Sequence, residues 1–118
     1  MLSGGPRCRS CALLLNESGA CVDCQHKSPE FQSVVAAFDY DFPGSILIHQ
    51  LKQGRRYLLA AALAELLVPR LQQLKSSNAG ATILVPVPAG RQALRKRGFN
   101  PAGEVARHLS RRLGLSCK

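Results

Sequence analysis

The sequence predicts an α/β chain in two parts, a small four-cysteine ribbon followed by an incomplete α/β unit, and three observations carry that expectation. Residues 8–24 read CRSCALLLNESGACVDC, two Cys-x-x-Cys pairs separated by nine residues. Residues 82–88, Thr-Ile-Leu-Val-Pro-Val-Pro, make an uninterrupted apolar run of the kind found in a strand buried on both faces of a parallel sheet. Apolar residues at helical spacing flank that run on both sides. A length of 118 residues fits one domain, or a small module joined to part of a larger one, and excludes two full domains.

Hydrophobic content of 46% with 19% charged residues is the balance of a soluble globular chain and excludes disorder. Residues 1–7 lack the apolar run of a signal peptide, and no stretch approaches the ~20 apolar residues of a membrane span. The expectation is a cytoplasmic protein without membrane association. In that compartment five cysteines favour metal ligation or free thiols over disulfides, with no role assigned to Cys117. Net charge is +9, and residues 1–31 contribute none of it, since Arg7, Arg9 and Lys27 balance Glu17, Asp23 and Glu30. The other 87 residues hold 13 basic and 4 acidic side chains, with the densest cluster at Arg91, Arg95, Lys96 and Arg97. Phosphates or nucleic acid are the matching partners, and a solvated basic surface is the other reading of the same residues.

Each cysteine pair suits a zinc knuckle, whose tight turn brings two thiolates to one ion at ~2.3 Å; two knuckles complete a tetrahedral shell. Cys8, Cys11, Cys21 and Cys24 are therefore the expected ligands of one zinc, held in a ribbon over residues 1–30. A closed shell of four sulfurs leaves no open position, so the metal should be structural. Leu13 to Leu15 and Val22 are expected to supply a small apolar core, with Asn16-Glu17-Ser18-Gly19 as the linking turn. A disulfide pair or a redox Cys-x-x-Cys remains the alternative for these cysteines, and His26 is either a replacement ligand or a surface residue.

Residues 31–118 form the second part, after a linker at Lys27-Ser28-Pro29-Glu30. Val34 to Tyr40 has the β-branched and aromatic content of a strand, which Pro43-Gly44 interrupts. Ser45 to Gln53 reads as a short helix. From Arg56 to Leu74, apolar residues at 59, 63, 66, 67, 71 and 74 keep helical spacing, with Pro69 expected to kink or divide the helix. A polar turn follows over Lys75 to Gly80. Pro86 and Pro88 mark the carboxyl end of the apolar strand, where open α/β sheets place ligands. Ala89 to Gly98 is a basic loop or short helix. Asn100-Pro101 then reads as a helix N-cap and first turn, Ala102, Val105, Ala106, Leu109 and Leu113 as the buried stripe, and Gly114 as the stop.

The cysteine module, FDYDFPGSILIHQLKQG (38–54) and VPVPAGRQALRKRGFNPAGEVARHL (85–109) together resemble ComF-family proteins, which are linked to DNA uptake in competent bacteria. The resemblance covers nearly the whole chain. It implies a type I phosphoribosyltransferase (Rossmann-like) fold after the zinc module, and it maps the pyrophosphate-cradling turn onto Pro88, Ala89, Gly90 and Arg91. Backbone N–H groups of a small-residue turn can approach phosphate oxygens, and Arg91 can add a charge-assisted contact; a plain tight turn with Arg91 in water is the other possibility. Arg95, Lys96, Arg97, Gly98, Phe99 and Asn100 match the family's signature, with Gly98 allowing a bend, Asn100 capping the helix and Phe99 either packing in the core, the favoured reading, or covering a ligand. Lys52 and Gly54 also match, as a turn and anion contact.

Members of that fold class carry, on a later strand and loop, two acidic residues and a Thr-Thr-Gly-type turn for phosphoribosyl pyrophosphate. After Glu65 the only acidic residue is Glu104, inside the last expected helix. The sequence therefore reads as the N-terminal portion of an incomplete fold, inactive by itself and truncated or split from a C-terminal half, with no catalytic residue to nominate. Magnesium and phosphoribosyl pyrophosphate are expected only for the full-length form. Three functions follow: a phosphoribosyltransferase-like protein; a zinc module binding single-stranded DNA or a competence helicase, against which the few aromatic residues count; or a remnant without activity.

Overall fold

The computed structural model describes residues 4–53, 58–77 and 80–118, and it divides into two compact units, Met1–Asp39 and Tyr40–Lys118.

In the first unit an antiparallel bridge pairs Arg7 with Leu14. Around it Leu15 N–H donates to the Pro6 carbonyl (3.0 Å), Cys8 N–H to Leu13 (2.8 Å) and Ala12 N–H to Cys8 (2.9 Å). The reversal places Ala12 at φ 64°, in the left-handed region. The Asn16–Gly19 turn forms as expected: Gly19 N–H donates to the Asn16 carbonyl at 3.0 Å, and Asn16 Oδ1 accepts from Ala20 N–H (2.9 Å) and Ser18 Oγ (2.7 Å). One short helix, α1 (Val22–His26), follows Cys21.

Two expectations for this unit are corrected. The expected apolar core does not close, because a loop that turns its sulfurs inward turns most of the intervening side chains out: Leu13, Leu14 and Val22 are 48%, 50% and 57% exposed, and Leu15 alone of the four is half-buried. Among its described residues only Cys21 is buried. Nor does Val34 to Tyr40 form a strand. Among the described residues no neighbouring strand offers it a ladder, and Val34 N–H instead donates to the Ser10 carbonyl at 2.7 Å.

The second unit runs α2 (Gly44–Gln53), α3 (Leu58–Ser77), β1 (Ile83–Leu84), α4 (Arg91–Arg97), α5 (Pro101–Leu113) and β2 (Ser116–Cys117). Helix α3 packs on α5, where Ala64 and Val68 meet Leu109 and Leu113, flanked by Leu67, Leu71, Leu84, Val105 and Leu115. Each large side chain so buried contributes on the order of 1.5–3 kcal/mol. Pro69 does not divide α3: it lies on the exposed side, and one missing backbone bond in a 20-residue packed helix is tolerated. The buried face of α3 is Ala60, Leu63, Ala64 and Val68, rotated from the expected stripe, and Leu66 is 42% exposed. Ala64, absent from the expected stripe, sits in the core against α5. Residues 75–77, expected in a turn, continue α3.

Helix α5 starts and stops as the sequence predicts, with Pro101 in its first turn and Gly114 at φ 64°. Lys75 Nζ donates to the Leu113 carbonyl at 2.6 Å, placing a cation on the end of the helix where the macrodipole favours it.

The long buried strand is also corrected. Only Ile83–Leu84 is a strand, paired in parallel with Ser116–Cys117 in the register Ile83↔Ser116 and Leu84↔Cys117. Ile83, Val85 and Val87 are 52%, 70% and 75% exposed, so the run is not buried on both faces. Pro86 and Pro88 do end it, since neither can donate to a ladder. A strand after the last helix, absent from the sequence reading, supplies the partner and takes in Cys117. The β1-α4-α5-β2 order is a parallel pair with a helical crossover. Among the described residues no helix is long and apolar enough to cross a membrane.

Candidate metal centre

The reversal at Ala12 brings Cys8 and Cys11 together, while Cys21 caps α1 and Cys24 lies in its first turn. A spacing of three residues puts the second pair on one side of a helical turn. All four sulfurs lie within 4.8 Å of one another, with Cys8 to Cys24 at 3.8 Å and Cys11 to Cys21 at 3.5 Å. Four sulfurs at ~2.3 Å from a tetrahedral ion sit about 3.8 Å apart, so the quartet has the size of a four-thiolate zinc shell. A disulfide needs ~2.05 Å, and all five cysteines are free thiols here. His26 is exposed and stands outside the quartet.

The thiols are electrostatically unequal. Backbone hydrogen bonds from Cys11 and then Ser10 favour the Cys8 thiolate and pull its pKa down to about 6. Cys24 is pushed up to about 12, first by its side-chain hydrogen bond with Cys11 and then by desolvation. Leu13 donates a backbone bond that favours the Cys11 thiolate, yet desolvation and the neighbouring Cys21 raise that thiol overall. Four thiolates crowd together at a high electrostatic cost; a bound divalent cation would supply the compensating charge and displace the protons.

Two residues that the sequence reading did not single out support the first pair. Arg7 Nη2 donates to both carboxylate oxygens of Asp39 at 2.9 Å, and its Nη1 donates to the Ala12 carbonyl at 3.0 Å. Their side chains are 17% and 31% exposed. Arg7 adjoins Cys8, but nothing in the sequence spacing points to a partner 32 positions away.

In the second unit the expected anion-site residues lie around α4. Pro88 and Gly90 are exposed, Gly90 precedes the helix in extended geometry (φ −63°, ψ 153°), and nothing lies within 4 Å of where a Cβ on it would sit. Arg91, Arg95 and Lys96 are exposed, and Arg97 is half-buried. Gly98 closes α4 at φ 82°, its N–H on the Leu94 carbonyl, and Phe99 is buried, as the sequence suggests. Asn100 is the backbone N-cap of α5, but its side chain makes no cap bond; Nδ2 donates to the Val87 carbonyl at 3.0 Å, tying the helix start to the end of the apolar run. Lys52 is exposed near the end of α2, and Gly54 lies outside the described residues.

Fold and site thus define a class: a minimal scaffold carrying four convergent thiols, joined to a helical unit with one parallel strand pair. Within that class the chain is similar to DNA utilization protein YhgH of Salmonella typhimurium (strain LT2), with 36% identity over 113 residues that make up 92% of this chain and 49% of that protein. It is also 36% identical, over 108 residues, to the protein of the same name from Escherichia coli (strain K12), covering 88% of this chain and 47% of the relative. The chain spans about half the length of the curated relatives it matches. No family model and no solved structure matches it.

Proposed function

We propose that this chain is the zinc-bearing part of a protein that serves the use of DNA, with Cys8, Cys11, Cys21 and Cys24 holding one structural zinc ion. The quartet's mutual spacing within 4.8 Å, in a unit with only Cys21 buried among its described residues, carries the zinc assignment. The role follows the relatives, whose name is DNA utilization protein. In an organism carrying the longer form, deletion of the gene should impair growth on DNA as sole carbon source. Complementation by the intact gene, and failure of a Cys21→Ser copy, supports both parts; normal growth of the deletion strain rejects the role.

At a finer level, the reading is a ComF-like, phosphoribosyltransferase-like second part. The parallel pair with a helical crossover supports it, and so does the open space at Gly90, whose extended backbone leads into Arg91. Phosphoribosyl pyrophosphate with magnesium is then the ligand of the full-length protein. Calorimetry on that protein should detect binding that Arg91→Ala weakens, and no binding at millimolar ligand rejects this level.

A second reading, direct contact with single-stranded nucleic acid, is favoured by α4. Its seven residues, RQALRKR, include four cations, no carboxylate and no fully buried residue. Among the described residues Arg91, Arg95 and Arg97 enter no ion pair. Arg91 and Arg95, one turn apart, share a face. Binding to an oligonucleotide should fall steeply with salt, and Arg91→Ala with Arg95→Ala should reduce the logarithmic salt slope by about two. An unchanged slope rejects this reading.

A further inference from the structure

Residues 34–39 join no sheet, yet they are held against the first cysteine pair at two points. One is Val34 N–H on the Ser10 carbonyl at 2.7 Å. The other is the Asp39 carboxylate on Arg7, whose second nitrogen grips the Ala12 carbonyl. The two carbonyls are not arbitrary. Ser10 C=O belongs to the same peptide plane as Cys11 N–H, which bonds the Cys8 sulfur. Ala12 C=O belongs to the same plane as Leu13 N–H, which bonds the Cys11 sulfur. Of the three peptides whose N–H groups, on Cys11, Ser10 and Leu13, feed these two sulfurs, two are therefore clamped at the other end. Fixing the carbonyl fixes the plane, and a hydrogen-bonded carbonyl polarises its own N–H toward the sulfur.

We propose that Arg7 and Asp39 are positioning residues of the metal centre, fastening residues 34–39 as a strap that aims two backbone N–H groups at the sulfurs of Cys8 and Cys11. The inference rests on the zinc assignment and adds to it residues outside the ligand set. No apolar core replaces the strap, since Cys21 is the one buried residue among those described in this unit. The reversal it steadies holds Ala12 at φ 64°, which an alanine rarely adopts unsupported. The ion pair is largely shielded, at 17% and 31% side-chain exposure, so salt screens it less than a surface pair.

The test is competition for zinc between a chromophoric chelator and the full chain, as wild type, Asp39→Ala, Asp39→Asn, Arg7→Ala and Arg7→Lys. Loss of an outer partner of this kind lowers metal affinity about 10–100-fold, and that loss is expected for Asp39→Ala and Arg7→Ala, with Arg7→Lys and Asp39→Asn between them and wild type. Cobalt-substituted samples give the second readout: the sulfur-to-cobalt charge-transfer bands should shift in Asp39→Ala, because sulfurs that lose N–H donors become better electron donors. Should Asp39→Ala fail to fold, Asp39→Asn carries both readouts. Variants that hold zinc within two-fold of wild type, with unshifted cobalt bands, overturn the strap alone. A wild-type chain that binds no zinc overturns the metal assignment and the strap with it.

Discussion

Among the described residues of Met1–Asp39 only Cys21 is buried, whereas Tyr40–Lys118 buries Leu51, Ala60, Leu63, Ala64, Val68, Phe99, Ala106, Leu109 and Leu113. Charge divides along the same line. The first unit holds three basic and four acidic side chains, and the second holds 13 basic and three acidic. A segment of about 40 residues cannot bury enough apolar surface to offset its chain entropy. Four thiols and a few polar clamps take the place of a core there, and leucines and alanines suffice in the longer unit. One unit is organised around four converging cysteines that could hold a cation; the other presents cations of its own.

The difference can be broken from either side. The largest expected effect is Cys21→Ser: metal binding worth ~10–16 kcal/mol in zinc-finger peptides is lost, and the amide resonances of residues 4–39 should collapse to the unfolded range while those of α3 and α5 persist. Next comes Leu109→Ala, 6% exposed in the α3–α5 core, which should cost about 2–5 kcal/mol in urea denaturation of the second unit and leave zinc content unchanged. If removing zinc melted both units together, the contrast would fail.

Smaller substitutions sharpen it. Gly114, at φ 64° with open space around it, should lose about 1 kcal/mol on Gly114→Ala, from the left-handed backbone alone. The smallest effect belongs to the exposed pair of Arg112 with Glu65, whose carboxyl lies below its ordinary pKa mainly through the Arg112 hydrogen bond. A lowered acid pKa stabilises above the unfolded value and is lost as pH falls through the folded one. Glu65→Gln should therefore lower the melting temperature by at most a few degrees at neutral pH, with the gap to wild type closing in acid.

What the sequence revealed follows from which interactions are local. The Cys-x-x-Cys pairs, the Asn16–Gly19 turn, Pro101 in the first turn of α5 and Gly114 at its end are settled within a few residues by turn and backbone chemistry and appear in place, whereas the Asn100 side chain leaves the cap for the Val87 carbonyl. The strands were misjudged because apolar content reports a preference for extended backbone, while a ladder needs a partner; Val34 to Tyr40 has none, and the run at 82–88 finds only Ser116–Cys117. The rotated face of α3 was hidden for a related reason, since periodicity weights leucines and the close helix contact falls on Ala64. Leu13, Leu14 and Val22 looked like a core only until the sulfurs took the inside. Arg7 and Asp39 carry no signature, because their contact spans 32 positions and obeys no spacing rule.

The most direct test of the central claim, that four cysteines hold one zinc in place of an apolar core, is native mass spectrometry of the chain purified without added metal. A single zinc adduct per chain, lost on acidification and absent from Cys21→Ser, is the predicted result. A metal-free mass, or one reduced by the hydrogens lost on forming disulfides, would contradict it.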